Sequence, residues 1–286
     1  MVVERIRLDG KTAVVCGAGG GGIGSATSKT LAEAGANIVA VDINETRVQE
    51  TVDQVEQLGV KGLGVVANVE KRTGALQVVK EAEREFGEIH CLANIIGGMT
   101  SATEWNDMFN YGEAEWDAVF SRNLKYQFLV IQAVANHMRD RGIPGTIASL
   151  SSVSGWAGAP MHGPYGAAKA GVMALTRTMA VEFGGYGIRV NNLAPGSVIT
   201  PRTMAATTEE ERHSQSRATT PIRRALDPTE IAGGLLFLLS DLSSGVSGHT
   251  LVVDGGAIAK FTFSLPQNEH PEPSTESFMG GEKQEG

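Results

Sequence analysis

The chain has 286 residues, 42% of them hydrophobic and 20% charged, with 24 Lys and Arg against 32 Asp and Glu. A net charge of −8 without a Lys/Arg cluster argues against nucleic acid or an anionic membrane surface as partner. No apolar run approaches the ~18 residues that cross a bilayer. The first residues are charged and read as no signal peptide, and the two cysteines, Cys16 and Cys91, are too few for a disulfide framework. The expected location is therefore cytoplasmic.

The 36 glycines exceed the usual share of roughly 7% and stand at the ends of apolar runs, where the backbone must turn tightly or approach a ligand. Between them, β-branched runs alternate with helical patterns. Strands are predicted at 12–16, 37–42, 62–67, 89–95, 146–150, 188–193 and 250–253. Helices are predicted at 25–34, 45–58, 72–86, 113–141, 165–184 and 229–239. Such alternation implies an α/β, doubly wound parallel sheet with helices on both faces, a single Rossmann fold over residues 1–260. Two stretches fall outside the pattern. Residues 201–221, between a strand and a helix, read either as a lid over the carboxyl ends of the strands or as a surface loop. Residues 261–286 are polar with Pro, Glu and Gly and are expected to be flexible, with Phe261, Phe263 and Phe278 as apolar anchors for a neighbouring subunit.

Between the first strand and first helix runs Cys16-Gly17-Ala18-Gly19-Gly20-Gly21-Gly22-Ile23-Gly24. Glycines here let the backbone approach a pyrophosphate, which the helix N-terminus then holds. The second strand ends at Asp42, whose carboxylate can accept from adenosine ribose hydroxyls and would repel a 2′-phosphate. Ile43 and Asn44 follow it rather than an arginine, so NAD is expected over NADP.

Further along, Ser149-Leu150-Ser151-Ser152 follows a strand and Tyr165-Gly166-Ala167-Ala168-Lys169 opens a helix. Tyrosine and lysine four apart share a helix face. A phenol with a solution pKa near 10 is mostly neutral at pH 7, and a nearby ammonium favours its phenolate. The phenol thus becomes a usable proton shuttle for hydride chemistry, with a serine hydroxyl to hold the substrate oxygen.

The glycine-rich turn, the serine and the YxxxK pattern together resemble the classical short-chain dehydrogenase/reductase (SDR) family, over about residues 8–256. Gly22-Ile23-Gly24 resembles the end of that family's glycine turn. Asn94-Ile95-Ile96-Gly97 stands where NNAG is usual, and Asn123 matches its helix asparagine. The resemblance implies Tyr165 as acid/base and Lys169 as the residue that lowers its pKa and binds the nicotinamide ribose. It implies Ser152 as the substrate-orienting serine, and Asn123 as support for a proton-relaying water. Ser152 is preferred to Ser151 because it lies 13 residues before Tyr165, the family's usual spacing. By the same resemblance Asn68 and Val69 face the adenine. Pro195, Gly196, Val198 and Thr200 form the motif that meets the carboxamide and pyrophosphate. Asp254-Gly255-Gly256 resembles a late structural signature. No metal is called for.

Three departures bear on the cofactor site. The turn holds four residues between Gly17 and Gly22 where the family has three. Cys16 replaces a threonine able to tie strand ends, and Ile95 and Ile96 replace Asn and Ala, implying loss of a polar crosslink in the sheet. For the substrate, Met99, Trp156, Met161, His162 and Met204 form a mostly apolar set that suits a hydrophobic or cyclic secondary alcohol or ketone. Reduction of a 3-oxoacyl thioester would use the same motifs, and Arg202, Arg217, Arg223 and Arg224 keep an acyl-carrier partner open. A nucleotide-sensing or scaffold protein on the same fold is the non-enzyme alternative, against which the complete Asn123, Ser152, Tyr165 and Lys169 set argues. The resemblance also implies a homotetramer.

Overall fold

The structure is a computed structural model and describes residues 2–99 and 106–259. The tail at 261–286, with Phe261, Phe263 and Phe278, lies outside them. Seven parallel strands form one sheet in the order β3-β2-β1-β4-β5-β6-β7. They are β1 (Thr12–Cys16), β2 (Asn37–Asp42), β3 (Gly62–Val66), β4 (Cys91–Asn94), β5 (Gly145–Leu150), β6 (Ile188–Pro195) and β7 (Thr250–Val253). The order reverses between β1 and β4, so crossovers leave a crevice at the carboxyl ends there. This is the Rossmann architecture expected from the alternation.

Helices α1 (Ile23–Glu33), α2 (Glu45–Glu56) and α3 (Arg72–Phe86) connect the first four strands. After β4 come α4 (Glu113–Phe120) and α5 (Tyr126–Arg141), then α6 (Gly163–Gly184) after β5. Beyond β6 lie α7 (Pro201–Ala206), α8 (Glu209–Thr219) and α9 (Pro228–Leu239). Each residue of β1 is buried because helices cover both faces of the sheet. Ala13 and Val15 join Leu31 of α1 and Ile231 and Leu235 of α9 in one core. Val14 and Cys16 join Val78 of α3, Val130 and Val134 of α5 and Met179 of α6 in the other.

The structure departs from the sequence expectation in two places that matter for function. The helix expected over 113–141 contains a π-helical turn, Ser121–Lys125, with Asn123 at its centre. Single π-turns inside helices cluster at functional positions because the extra residue re-aims a side chain. The stretch 201–221, expected as a lid or a surface loop, folds into two helices over most of its length. Thr200 caps α7, with Pro201 in its first turn, and Thr208 caps α8 reciprocally with Glu211. The helical pattern was hidden because among the described residues of α8 only Ser216 is buried, so no apolar stripe exists to read.

The polar ties expected to be lost are supplied by other atoms. Gly17 and Ala18 donate to the Val41 carbonyl at 2.8 and 3.1 Å, and Ile95 donates to the Cys16 carbonyl at 2.9 Å. Burial pushes the Cys16 thiol up to about 12, so it behaves as a small apolar group. A side-chain crosslink persists one residue earlier than expected: Asn94 Nδ2 donates to Ser149 Oγ at 3.3 Å, joining β4 to β5.

Candidate active site

The carboxyl ends of β4, β5 and β6 and the start of α1 border a cleft of about 750 Å³. Its lining includes Ile23, Gly97, Ser152, Tyr165, Lys169, Val198 and Thr200 from the sequence-predicted set. On its nucleotide side, α1 begins at Gly22 with no side-chain cap, leaving its first N–H groups without that partner. Gly24 sits so close to Gly17 that a Cβ there would lie 1.7 Å from the Gly17 carbonyl oxygen, so only glycine allows the helix this entry. The extra residue of the turn falls in a segment where Gly20 and Gly21 are both left-handed, with φ of 93° and 68°. Gly21 and Gly22 face Pro201 and Thr200. An uncapped helix N-terminus beside exposed backbone amides fits a pyrophosphate, so these residues suit the dinucleotide they were expected to hold.

At the adenosine end, Asp42 Oδ1 accepts from the N–H groups of Ile43 (2.8 Å) and Asn44 (3.2 Å), which leaves Oδ2 turned toward Gly19. Arg47, from the first turn of α2, packs over Gly19 and reaches Gly20 with its guanidinium. The residues next to Asp42 in sequence carry no cation, and it is the turn of helix between them that brings Arg47 back to the glycines. Asn68 is exposed after β3, its Oδ1 accepting from Glu70 N–H at 3.0 Å, and Val69 is buried beneath it. Pro195 and Gly196 close the far wall, where a Cβ on Gly196 would lie 2.8 Å from Asp254 Cα. Asp254 itself accepts from Gly256 and Ile258 N–H groups and holds a turn.

The residues expected to be catalytic converge because the Ser152 segment and α6 pack almost backbone to backbone. A Cβ on Gly155 would lie 2.6 Å from Ala170 N. His162 and Pro164 start α6 two residues ahead of the expected position, which places Tyr165 in the first turn. Tyr165 is hydrogen-bonded to the Ser152 hydroxyl, and its pKa is raised by burial, with Ser152 and Arg202 pulling the other way. Ser151 is excluded from this role: its hydroxyl donates to Asn192 Oδ1 at 2.6 Å and to the Leu193 carbonyl at 3.2 Å.

Lys169 is 2% exposed, donates to the Leu150 carbonyl at 2.9 Å and lies 5.6 Å from the Tyr165 ring centroid. Desolvation pulls its pKa down to about 7. Asn123 and Lys169 meet at Gly97, where a Cβ would lie 3.0 Å from Asn123 Oδ1 and 2.8 Å from Lys169 Nζ. The Asn123 side chain is committed to the backbone: Oδ1 accepts from Gly98 N at 2.8 Å, and Nδ2 donates to the carbonyls of Gly98 (3.0 Å) and Val119 (2.9 Å). Its function in this structure is to fix the Gly97–Gly98 strand exit.

Of the expected substrate residues, Met99 and His162 line the cleft. His162 contacts Ser154 Oγ at 3.3 Å and stands edge-on to Tyr165, and burial lowers its pKa, so it is neutral at pH 7. Trp156 (59% exposed), Met161 and Met204 point away into solvent and are not among the lining residues. Arg202, Thr203 and Gln215, from the helical stretch after β6, line it instead. Sequence reasoning missed Gln215 because α8 was not foreseen. Of the four arginines considered for an acyl-carrier partner, Arg224 is paired with Glu230 at 2.7 Å.

Comparison with known proteins agrees with this geometry. Residues 17–257 match the family model described as enoyl-(acyl carrier protein) reductase. The chain is 35% identical over 260 residues to 2-dehydro-3-deoxy-D-gluconate 5-dehydrogenase of Escherichia coli, covering 91% of this chain and 100% of that one. It is 37% identical over 254 residues to 3-oxoacyl-[acyl-carrier-protein] reductase FabG of Thermotoga maritima, covering 88% and 100%. Among solved structures, a gluconate 5-dehydrogenase from Burkholderia cenocepacia in complex with NADP and tartrate superposes with a TM-score of 0.84 at 33% identity, covering 91% and 100%. The chain therefore belongs to the short-chain dehydrogenase/reductase family. Within that family it is an NAD(P)-dependent oxidoreductase of alcohols and ketones.

The buried lysine makes stability depend on pH in a defined direction. Below about pH 7 Lys169 is charged in both folded and unfolded chains, and the cost of burying an ammonium is fully present. Between about 7 and its ordinary 10.5 the unfolded chain holds a proton that the folded chain has released, so this contribution to stability rises with pH across that window. Urea unfolding of the cofactor-free protein at pH 6.5 to 9.5 is expected to show this rise, and Lys169→Met to lose it. An equal rise in the variant would assign the effect to other groups.

Proposed function

We propose that this chain transfers hydride between NAD(H) and a secondary alcohol or ketone, with Tyr165 as the acid/base. The observation that carries the reading is the Ser152–Tyr165–Lys169 cluster beside an uncapped glycine-rich helix N-terminus in one cleft. Gly17, Gly22, Ile23 and Gly24 would hold the pyrophosphate, Asp42 the adenosine ribose, and Asn68 and Val69 the adenine. Asn94, Gly97, Pro195, Gly196, Val198 and Thr200 would border the nicotinamide half. NAD, when bound there, would supply the two-electron acceptor for the carbinol hydride.

The protein's own part is proton handling. Ser152 holds the substrate oxygen, and the Tyr165 oxygen takes the hydroxyl proton as the carbonyl forms, or returns it in the reverse direction. The positive charge of an oxidised nicotinamide, when bound, would oppose the rise that burial imposes on the phenol. Lys169, titrating near neutrality, can accept a ribose hydroxyl or pass a proton inward without leaving a permanent buried charge.

Tyr165→Phe is expected to lower kcat by roughly 10² to 10⁴-fold, the range for a positioned general acid/base, while NADH binding by fluorescence stays unchanged. Full activity in the variant would refute the mechanism. Reduction of a 3-oxoacyl thioester is the second reading, supported by the 37% identity to a reductase of that kind; a panel of simple alcohols and ketones against a 3-oxoacyl thioester separates the two.

NAD is proposed as the preferred form because Asp42 Oδ2 faces the glycine turn. Arg47 is a cation at the same end, so preference rests on the carboxylate outweighing it. Asp42→Ala is expected to shift the NAD/NADP ratio of kcat/KM toward NADP by at least about tenfold, equivalent to ~1.4 kcal/mol. An unchanged ratio would remove Asp42 from the cofactor site.

In the same reading the protein is a cytoplasmic homotetramer. Val181 of α6 is 83% exposed, and β7 is an edge strand with each residue partly exposed, the surfaces an assembly would cover. Sedimentation velocity is expected to give roughly four times the 30.1 kDa chain mass; a monomer would end the proposal.

A further inference from the structure

Among the described residues, the substrate side of the cleft carries positive charge and no acid to balance it. Among its described lining residues the charged side chains are Lys169 and Arg202, with no Asp or Glu, in a chain that has more acids than bases overall. Lys169 is spent on the Leu150 carbonyl. Arg202 is different. It stands in the first turn of α7, and its Nη1 occupies the space beside Gly98, 2.5 Å from where a Cβ on that residue would be. Asn123 clamps Gly98 through both its N–H and its carbonyl. The wall behind the guanidinium is therefore rigid, and it exists only because residue 98 has no side chain.

Among the described residues Arg202 forms no hydrogen bond and no ion pair. Its charged surroundings are Arg122, a second cation, and the Tyr165 phenol. Burial and Arg122 both lower its pKa, so both act against the charge it carries. A guanidinium has five donors in a planar fork and stays ionised in such a setting, which makes it a receptor for a planar anion. Gln215 brings a side-chain amide to the same cleft from α8. The cofactor's phosphates belong elsewhere, at the uncapped start of α1. The charge at Arg202 thus remains available on the catalytic side, next to the phenol.

We infer that Arg202 is a specificity-determining residue that binds a carboxylate of the substrate, so that the preferred substrates are small hydroxy acids or the matching oxo acids. The inference rests on the hydride-transfer reading above and names its substrate class. The carboxylate takes no part in the bond changes; it fixes the carbinol carbon relative to Ser152 and Tyr165 through a two-point attachment.

The test compares substrates that differ only in that charge. The purified full chain is assayed with NAD and NADP on D-gluconate, 3-hydroxybutyrate, its neutral methyl ester and cyclohexanol. The wild-type protein should favour the acid over its ester. Arg202→Met should raise KM for the acid by roughly 10- to 100-fold, the range for losing a hydrogen bond to a charged group. The ester's KM and the cofactor's KM should stay within about twofold of wild type, and Arg202→Lys should recover part of the loss.

As a readout independent of turnover, succinate should raise the melting temperature of the wild type with NADH present, and not that of Arg202→Met. Equal losses on acid and ester would make Arg202 a structural residue. A raised KM for cofactor alone would assign it to a phosphate. A wild-type preference for ester and cyclohexanol, unaffected by Arg202→Met, would overturn the inference while leaving hydride transfer standing. No turnover of any alcohol or ketone, with succinate still bound through Arg202, would sink the hydride-transfer reading instead.

Discussion

Lys169 carries its ammonium into a fully enclosed position and donates it to the carbonyl of Leu150, the last residue of β5. Much of the catalytic end hangs on that contact. It pins α6 to the sheet and so fixes Tyr165, one helical turn earlier, over the crevice. The Leu150 carbonyl also accepts from Gln127 of α5 at 3.2 Å, which ties the third element of the cluster to the same atom. A hydrogen bond involving a charged group returns about 1.5–3 kcal/mol, less than the several kcal/mol lost on burying an ammonium. Desolvation wins, and the lysine titrates near neutrality rather than near 10.5. A group poised there can act as donor or acceptor at working pH, which a surface lysine cannot.

The same cleft shows how missing side chains shape a site. Gly24 lets α1 start against the first strand's turn, Gly155 lets α6 close on the serine segment, and Gly97 and Gly98 leave room for Lys169 and Arg202. Each removed Cβ is a space that a charged or reacting group then fills. The glycine excess in the composition is in part the record of these approaches. Arg202 adds a second consequence: the charged side chains among the described lining residues of the cleft, Lys169 and Arg202, are both cationic, although the chain as a whole is acidic. Local field, not net charge, governs which ligand enters.

Much of this was legible beforehand, for physical reasons that differ by element. Strand–helix alternation with β-branched runs specifies a doubly wound parallel sheet because both faces must be covered, and each of the seven strands was found. The YxxxK spacing puts two groups on one helix face whatever surrounds them. Element ends were less legible: α6 begins two residues before Tyr165, because the His162–Pro164 turn, not the apolar pattern, decides its start. The π-turn at Asn123 leaves no mark in periodicity, since one extra residue in a long helix is within the scatter of a buried pattern. The two helices over 201–219 were illegible for the opposite reason: too little of them is buried to write an apolar stripe.

The sequence by itself determined the fold class and the crevice at the carboxyl ends of the strands, which follow from local periodicity, and its resemblance to the family singled out Asn123, Ser152, Tyr165 and Lys169 as candidates for the site. Tertiary structure alone decided which groups surround them. It chose Ser152 over Ser151 by occupying the latter with Asn192, and gave Asn123 to the backbone of Gly98. It also brought Arg47 over the glycine turn and placed Arg202 and Gln215, rather than Trp156, Met161 and Met204, in the lining of the cleft. Such contacts join residues tens to more than a hundred positions apart, and no short-range pattern encodes the distance between them.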